Sequence, residues 1–139
     1  MKRSRLVLLF GGALVLTGCS HDARPIVTSA DEAVINTYPT NYKADILAGM
    51  HAYLNDPTHV RDAAISQPAL KPVGRLTRYV VCVKFNAKKN ATDYAGPREV
   101  AAVFLLGRFD DFVDSPKESK EQCAGASYAP FPELQKLPP

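Results

Sequence analysis

The sequence predicts a small α+β domain in which one helix packs on an antiparallel sheet of three or four strands. Apolar residues recur with the period of a helix between Tyr42 and Leu54. Along residues 78–86, every second side chain is large and apolar, as in a strand. A turn-rich connection then separates that strand from a second apolar run at residues 98–106. With 46% hydrophobic and 22% charged residues, the chain of 139 residues has the composition of a folded protein.

The first nineteen residues carry the pattern of a secretory signal. Three basic residues precede an uncharged apolar run at 6–16, which would be about 16 Å long as a helix and is too short to span a bilayer comfortably. Leu16-Thr17-Gly18-Cys19 resembles a bacterial lipobox, which implies a diacylglyceryl thioether on Cys19 and cleavage before it. We therefore expect a lipoprotein signal peptide over 1–18. An ordinary signal with a chance cysteine and an uncleaved anchor are the alternatives.

Removal of that segment leaves a mature chain without net charge. The full chain has 17 basic and 14 acidic residues, and the three basic residues of the signal leave 17 − 3 = 14 of each. This balance argues against a nucleic-acid partner. The lipid on Cys19 would make the membrane a partner, because two or more acyl chains anchor a protein stably. By resemblance to the enterobacterial sorting rule, Ser20 favours the outer over the inner membrane, with the domain facing the periplasm.

Residues 19–39 are polar and weakly patterned, and we interpret them as a lipidated tether that could hold the domain several nanometres from the membrane. The domain itself is expected over 40–135. Its helix, about 41–55, would begin after Thr40 or Asn41 and end at Asp56-Pro57, because a residue before proline is pushed out of the helical region.

Three strands are expected to follow. The first covers 60–67 and ends where Pro68, Pro72 and Gly74 break the chain. The second covers 78–86, with its large apolar side chains on one face and Cys82 on the other. A polar hairpin loop at 86–97 leads to the third, 98–106, for which a helix is the rival interpretation.

The C-terminal part is expected to add little regular structure. Ser115 and Glu118 have capping-box spacing with Pro116 between them, which predicts a short helix near 116–122. Four prolines after Tyr128 favour an extended chain, and 136–139 is interpreted as a flexible tail.

Cys82 and Cys123 are the two cysteines of the mature chain, and we expect a structural disulfide between them. The signal implies an oxidising compartment, and two cysteines allow a single pairing. A bond across 41 residues would be worth about 4 kcal/mol in the chain-entropy model. A catalytic thiol and a metal ligand are the alternatives, although neither a C-x-x-C motif nor ligand spacing is present.

The candidate binding residues are Lys88, Lys89 and Tyr94, which lie in the predicted hairpin loop. They would form a phosphate or peptidoglycan contact, or simply a solvated hairpin tip. The three histidines lack metal-ligand spacing, and the carboxylates at 110, 111 and 114 match no EF-hand loop, so neither a metal site nor a cofactor is expected. The nucleophile and nucleotide motifs G-x-S-x-G, S-x-x-K and the P-loop are absent.

Several short motifs resemble those of a group of short, uncharacterised lipoproteins of Gram-negative bacteria. They are the lipobox and a helix ending in Asp56-Pro57, then Val81-Cys82-Val83, Asn86-Ala87-Lys88 and Tyr94-Ala95-Gly96, with Cys123 and Tyr128 after them. The resemblance covers roughly residues 40–135 and implies a common fold without implying a mechanism.

The expected function is that of a membrane-anchored envelope lipoprotein, a non-enzymatic adaptor or binding module for an envelope protein or cell-wall partner. The anchor, the tether and the lack of a catalytic motif favour it. The alternative is an envelope enzyme, or an inhibitor of a cell-wall-active enzyme that presents the loop 86–97 to its target.

Overall fold

The computed structural model describes residues 28–139 and shows an α+β fold with three helices and a six-stranded antiparallel sheet. The fold class is therefore confirmed, whereas the expectation of one main helix and three or four strands was too low. The predicted signal peptide and Cys19 lie outside the described residues. None of the helices in the described part is both long and apolar enough to cross a membrane.

The helices are α1 (Ser29–Ile35), α2 (Tyr42–Tyr53) and α3 (Pro116–Gln122). The strands are β1 (Arg61–Ser66), β2 (Ala69–Val73), β3 (Leu76–Asn86), β4 (Arg98–Leu105), β5 (Arg108–Val113) and β6 (Tyr128–Pro130). Their order in the sheet is β5-β4-β3-β1-β6, and β2 pairs with β3 beside β1. The predicted helices at 41–55 and 116–122 and the three predicted strands are all present within a few residues of their expected bounds.

β2 occupies the stretch where two prolines and a glycine were expected to break the chain. Pro68 precedes the strand, and Pro72 is tolerated within it because β2 pairs on one side alone, with β3. Gly74 adopts a φ of 61° in the two-residue turn into β3. The prolines therefore lie in and beside an edge strand, and they do not end the sheet.

β5 was missed because its apolar residues do not alternate. The pairing of β4 with β5 shifts register between Val103 and Phe104, so that Asp110 is an extra residue in β5. The bulge lets Phe109 and Phe112 pack together, with ring centroids 4.6 Å apart, against α2. β6, which ends at Pro130, was missed because three residues are too few to show an alternating pattern.

The two faces of the sheet carry two separate cores. The larger core contains Ile46 and Met50 of α2, packed on the apolar row of β3 that includes Val81, Val83 and Phe85. The smaller core, on the face covered by α3, consists of Val80, Cys82, Ala101, Val103 and Cys123. Cys82 thus lies opposite the large apolar row, as the alternation predicted.

The disulfide between Cys82 and Cys123 is confirmed. The sulfur atoms are 2.07 Å apart and the Cα atoms 5.7 Å apart, and both residues are buried. The bond joins the end of α3 to the central strand β3 on the face of the smaller core.

Both ends of the described chain contact the folded unit more closely than expected. Within the expected tether, α1 begins with a capping box between Thr28 and Asp31, and the carbonyl of Ile35 accepts a hydrogen bond of 3.0 Å from the Leu106 N–H. At the other end, Leu137 packs against the larger core although it falls in the expected tail. The described part of the tether is therefore attached to the sheet from Ile35 onward.

Candidate binding cleft

A cleft of about 360 Å³ lies between the C-terminal end of α2 and the base of the hairpin loop that joins β3 to β4. Its polar lining comes from four elements that are distant in the sequence. The polar residues are Tyr53, Asn55, Lys88, Lys89, Arg98 and Asp114. This volume is within the range of sites that take small ligands.

The turn after α2 forms one wall of the cleft. Asp56 Oδ1 accepts hydrogen bonds from the Thr58 N–H at 2.9 Å and from the Thr58 hydroxyl at 2.5 Å, which turns the chain toward β1. These two hydrogen bonds hold the pKa of the Asp56 carboxyl below its usual range, and the charge of Lys88 lowers it further. Asp56 therefore stays ionised beside the lysine at the cleft.

Arg98, an exposed residue of the cleft lining, is hydrogen-bonded to Tyr53. The Tyr53 hydroxyl accepts a hydrogen bond of 3.0 Å from Arg98 Nη2 and donates one of 3.0 Å to Asp114 Oδ2. The Tyr53 ring packs on Phe112 with its centroid 5.2 Å away. Burial raises the pKa of the Tyr53 hydroxyl, and the hydrogen bond to Asp114 raises it further, so the hydroxyl stays neutral near pH 7.

The two predicted lysines line the same cleft. Lys88 is partly buried and forms an isolated β-bridge with Tyr94, while Lys89 is exposed and its N–H donates to the Asp93 carbonyl at 2.8 Å. With Arg98, three cationic side chains line the cleft against the carboxylate of Asp114, and the ionised Asp56 lies beside Lys88, which leaves an excess of one positive charge. The arrangement therefore favours an anionic ligand.

Tyr94, the third predicted binding residue, does not line the cleft with the lysines. The guanidinium carbon of Arg61 lies 3.9 Å from the centroid of the Tyr94 ring, and the Tyr94 hydroxyl donates to the His59 carbonyl at 2.9 Å. These contacts fasten the hairpin loop to the segment that leads into β1. Tyr94 therefore supports the loop that carries Lys88 and Lys89.

The rest of the hairpin loop is held by its own side chains. Asn90 Oδ1 accepts hydrogen bonds from the Thr92 and Asp93 N–H groups at 3.0 and 2.8 Å. At the base, Asn86 Oδ1 accepts from the Gly96 N–H at 3.0 Å. The loop thus has a defined conformation on which the lysines are mounted.

Four polar residues of the cleft, Tyr53, Asn55, Arg98 and Asp114, were not among the predicted binding residues. Tyr53 belongs to the apolar face of α2 by periodicity, Arg98 begins the strand predicted at 98–106, and Asp114 belongs to the acidic stretch with Asp110 and Asp111. Asp114 faces the cleft, whereas Asp110 and Asp111 are exposed on the edge strand β5. The sequence feature that could have indicated the cleft was Tyr53, because a tyrosine in the last turn of a helix carries a hydroxyl that can contact polar groups beyond the apolar face.

Within residues 28–139, no group of three or more histidine, cysteine or carboxylate side chains is placed to hold a metal ion.

A second polar cluster lies where β3, β4 and β6 approach one another. The Tyr128 hydroxyl donates to Glu99 Oε1, and Lys84 Nζ lies 3.7 Å from the same carboxylate oxygen and 4.0 Å from the centroid of the Tyr128 ring. Burial raises the pKa of Tyr128, and the hydrogen bond to Glu99 adds to the rise. The cluster fixes Glu99 next to Arg98 in β4.

Comparison of the chain with protein-family models, with curated proteins and with solved structures found no match. The resemblance to short Gram-negative lipoproteins therefore stays a prediction.

Proposed function

We propose that this chain is a lipid-anchored protein of the Gram-negative cell envelope whose domain is a binding module and not an enzyme. Cys19 carries the lipid, Ser20 directs the protein to the outer membrane, and the domain faces the periplasm. The lipobox and the preceding apolar run support the anchor. The disulfide between Cys82 and Cys123 supports an oxidising compartment.

The ligand that we propose is a carboxylate-bearing peptide of the cell wall, bound in the cleft. The observation that carries this proposal is the position of Arg98, whose guanidinium is fixed by the Tyr53 hydroxyl beside Lys88 and Lys89. A planar guanidinium recognises a carboxylate with two parallel hydrogen bonds, and lysines add charge without fixing direction. The stem peptides of peptidoglycan, which lies in the periplasm, carry such carboxylates at high density.

Binding to purified peptidoglycan tests the ligand. The mature chain with Cys19→Ala is mixed with sacculi and sedimented. The double substitution Arg98→Gln and Lys88→Gln should weaken binding roughly tenfold or more, because a hydrogen bond to a charged group contributes about 1.5–3 kcal/mol.

The matched control removes two positive charges away from the cleft, through Lys117→Gln and Lys136→Gln, and should leave binding unchanged. Equal losses in the two double variants would mean that binding follows net charge alone and would contradict the cleft proposal. Unchanged binding in both would contradict it as well.

Incorporation of labelled palmitate tests the anchor separately. The wild-type chain should be labelled and partition into detergent, and Cys19→Ala should lose both properties. A palmitate label that survives the substitution would contradict lipidation at Cys19.

A second candidate function is inhibition of a cell-wall-active enzyme by the hairpin loop. The bracing of the loop by Asn90 and Tyr94 favours it, because a preorganised loop loses little entropy on binding. In that case Asn90→Ala should reduce inhibition of a muramidase, whereas Arg98→Gln should not. If Arg98→Gln reduces inhibition and Asn90→Ala does not, the cleft and not the hairpin loop is the functional site.

A further inference from the structure

Among residues 28–139, four large apolar side chains are exposed, and all four lie at one end of the sheet. Val34 is 62% exposed, Tyr38 46%, Leu70 51% and Leu106 53%. We call these four residues the apolar patch. Monomeric proteins scatter such side chains, and a concentration of them at one end indicates a contact surface.

Local contacts connect the members of the patch. The ring of Tyr38 packs edge-on against Tyr79, with centroids 5.3 Å apart, and Tyr79 is the β-pairing partner of Leu70. The Leu106 N–H donates to the Ile35 carbonyl, next to Val34 in the chain. The patch therefore combines the segment around α1 with β2 and with the turn between β4 and β5.

Leu106 occupies a backbone conformation that its side chain disfavours. It has a φ of 53° and is followed by Gly107 at 75°, in the two-residue turn that joins β4 to β5. Turns with two positive φ values usually place asparagine or glycine first, because a branched residue is strained there. Leu106 is half exposed, so burial in the core does not compensate for the strain. An apolar residue kept at such a position points to a role on the surface.

The patch is also the part of the described structure that the chain reaches first. Eight residues lie between Cys19 and Thr28, where the described structure starts, and even a fully extended chain spans only about 30 Å over the nine Cα–Cα steps. α1 follows directly and carries Val34. A lipid on Cys19 would therefore keep this end close to the bilayer.

Two basic and two acidic side chains are exposed beside the patch. Arg75, in the turn between β2 and β3, and Arg108, at the start of β5, lie at this end of the sheet, and Asp31 and Glu32 lie beside Val34 in α1. These charges balance, so the docking depends on the apolar side chains and on the lipid and not on attraction to anionic headgroups. The hairpin loop at 86–97 and the cleft lie at the opposite end, since β3 runs from one end to the other.

We infer that the apolar patch docks onto the bilayer into which the lipid on Cys19 inserts. The inference rests on the lipid anchor of the proposed function and adds an orientation to it. Docking is intramolecular once the lipid is inserted, so a weak surface affinity is sufficient. The docked domain presents the cleft, with Lys88, Lys89 and Arg98, away from the membrane and toward the periplasm.

A single environment-sensitive fluorophore tests the docking. In the mature lipidated chain Cys19 carries the lipid and the other two cysteines are bonded, so Leu106→Cys provides one thiol for labelling. On vesicles of phosphatidylethanolamine and phosphatidylglycerol, its emission should shift to the blue and be quenched by a lipid-borne nitroxide. The matched control, Ala91→Cys in the exposed hairpin loop, should show neither effect.

The intact mass of the labelled protein separates the possible failures. A protein that carries its lipids and shows no shift at residue 106 overturns the docking and leaves the proposed function standing. A mass without lipid overturns the proposed anchor and, with it, the docking. A shift without vesicles that grows with protein concentration means that a second copy covers the patch, which also overturns the docking.

A second variant removes the apolar side chain without harming the fold. Leu106→Asn introduces the residue that the turn prefers, so the melting temperature should not fall. A fluorophore on Val34→Cys then reports on the patch, and Leu106→Asn should reduce its blue shift at least about twofold through the lost apolar area. A full shift at Val34 in the Leu106→Asn background would overturn the role of Leu106.

Discussion

Removal of the disulfide is expected to cost the domain much of its stability. In the double variant Cys82→Ala and Cys123→Ala, the unfolded chain regains the freedom of a loop that spans 41 residues. The chain-entropy relation gives about 13 cal/mol/K for that loop, or about 4 kcal/mol at 25 °C. Whole domains of this size are stable by only about 5–15 kcal/mol.

The structure also indicates where the loss appears first. The smaller core has five buried residues, of which Cys82 and Cys123 are two, and Ser119 is the buried residue of α3. The bond is therefore the covalent part of the attachment of α3 to the sheet, to which Gln122 Nε2 adds a 2.8 Å hydrogen bond to the Pro72 carbonyl. The larger core, with Ile46 and Met50, contains neither cysteine and should remain packed.

Urea unfolding and amide hydrogen exchange measure the two effects. The double variant should lose about 2–5 kcal/mol of unfolding free energy, and the amides of α3 should exchange faster than those of β3. Each single variant should lose a similar amount, since each removes the same bond. A loss below about 1 kcal/mol, or α3 amides as protected as in the wild type, would refute this reasoning.

Three further substitutions probe other parts of the fold. Ser66→Ala removes the hydroxyl that accepts a 2.8 Å hydrogen bond from the buried Cys82 N–H, and it should cost about 1–3 kcal/mol in urea unfolding; no loss would mean that another acceptor takes its place. Gly49→Ala places a Cβ 3.1 Å from the Phe109 ring, so it should lower the melting temperature even though alanine favours helices; a rise would show that the ring moves at little cost. The pKa of Tyr128 is raised in the folded state, so its contribution to the unfolding free energy is present below about pH 10 and is lost as the pH rises above that value. Tyr128→Phe should therefore flatten the decline of the unfolding free energy at high pH. Parallel declines in the wild type and the variant would contradict the assignment.

The elements with long periodic patterns were predictable from the sequence. α2 and β3 extend over 12 and 11 residues, which is long enough for the apolar spacing to distinguish a helix from a strand. Capping signals were less informative, since Ser115 begins α3 with Pro116 in the first turn but makes no side-chain cap. β2 and β5 were hidden by prolines at an edge and by the bulge at Asp110, which depend on pairing and not on local preference.

The candidate site likewise contains residues that the sequence could predict and residues that it could not. Lys88 and Lys89 could be predicted because they lie in a local hairpin loop with an obvious charge. The contacts of Tyr53 with Arg98 and Asp114 join residues 45 and 61 positions apart, and the pairing of β4 with β5 brings the last two together. Sequence spacing carries no information on such a cluster. The disulfide was predictable because two cysteines have one pairing.

Photo-crosslinking in living cells tests the proposed function most directly. A photoreactive amino acid replaces Lys89 at the exposed rim of the cleft, and in the control it replaces Lys117 on α3. The account predicts that the protein becomes attached to cell-wall material from position 89, that digestion of the wall with a muramidase releases it, and that position 117 gives no such product. Equal attachment from both positions, or attachment from neither, would contradict the cleft as the binding site.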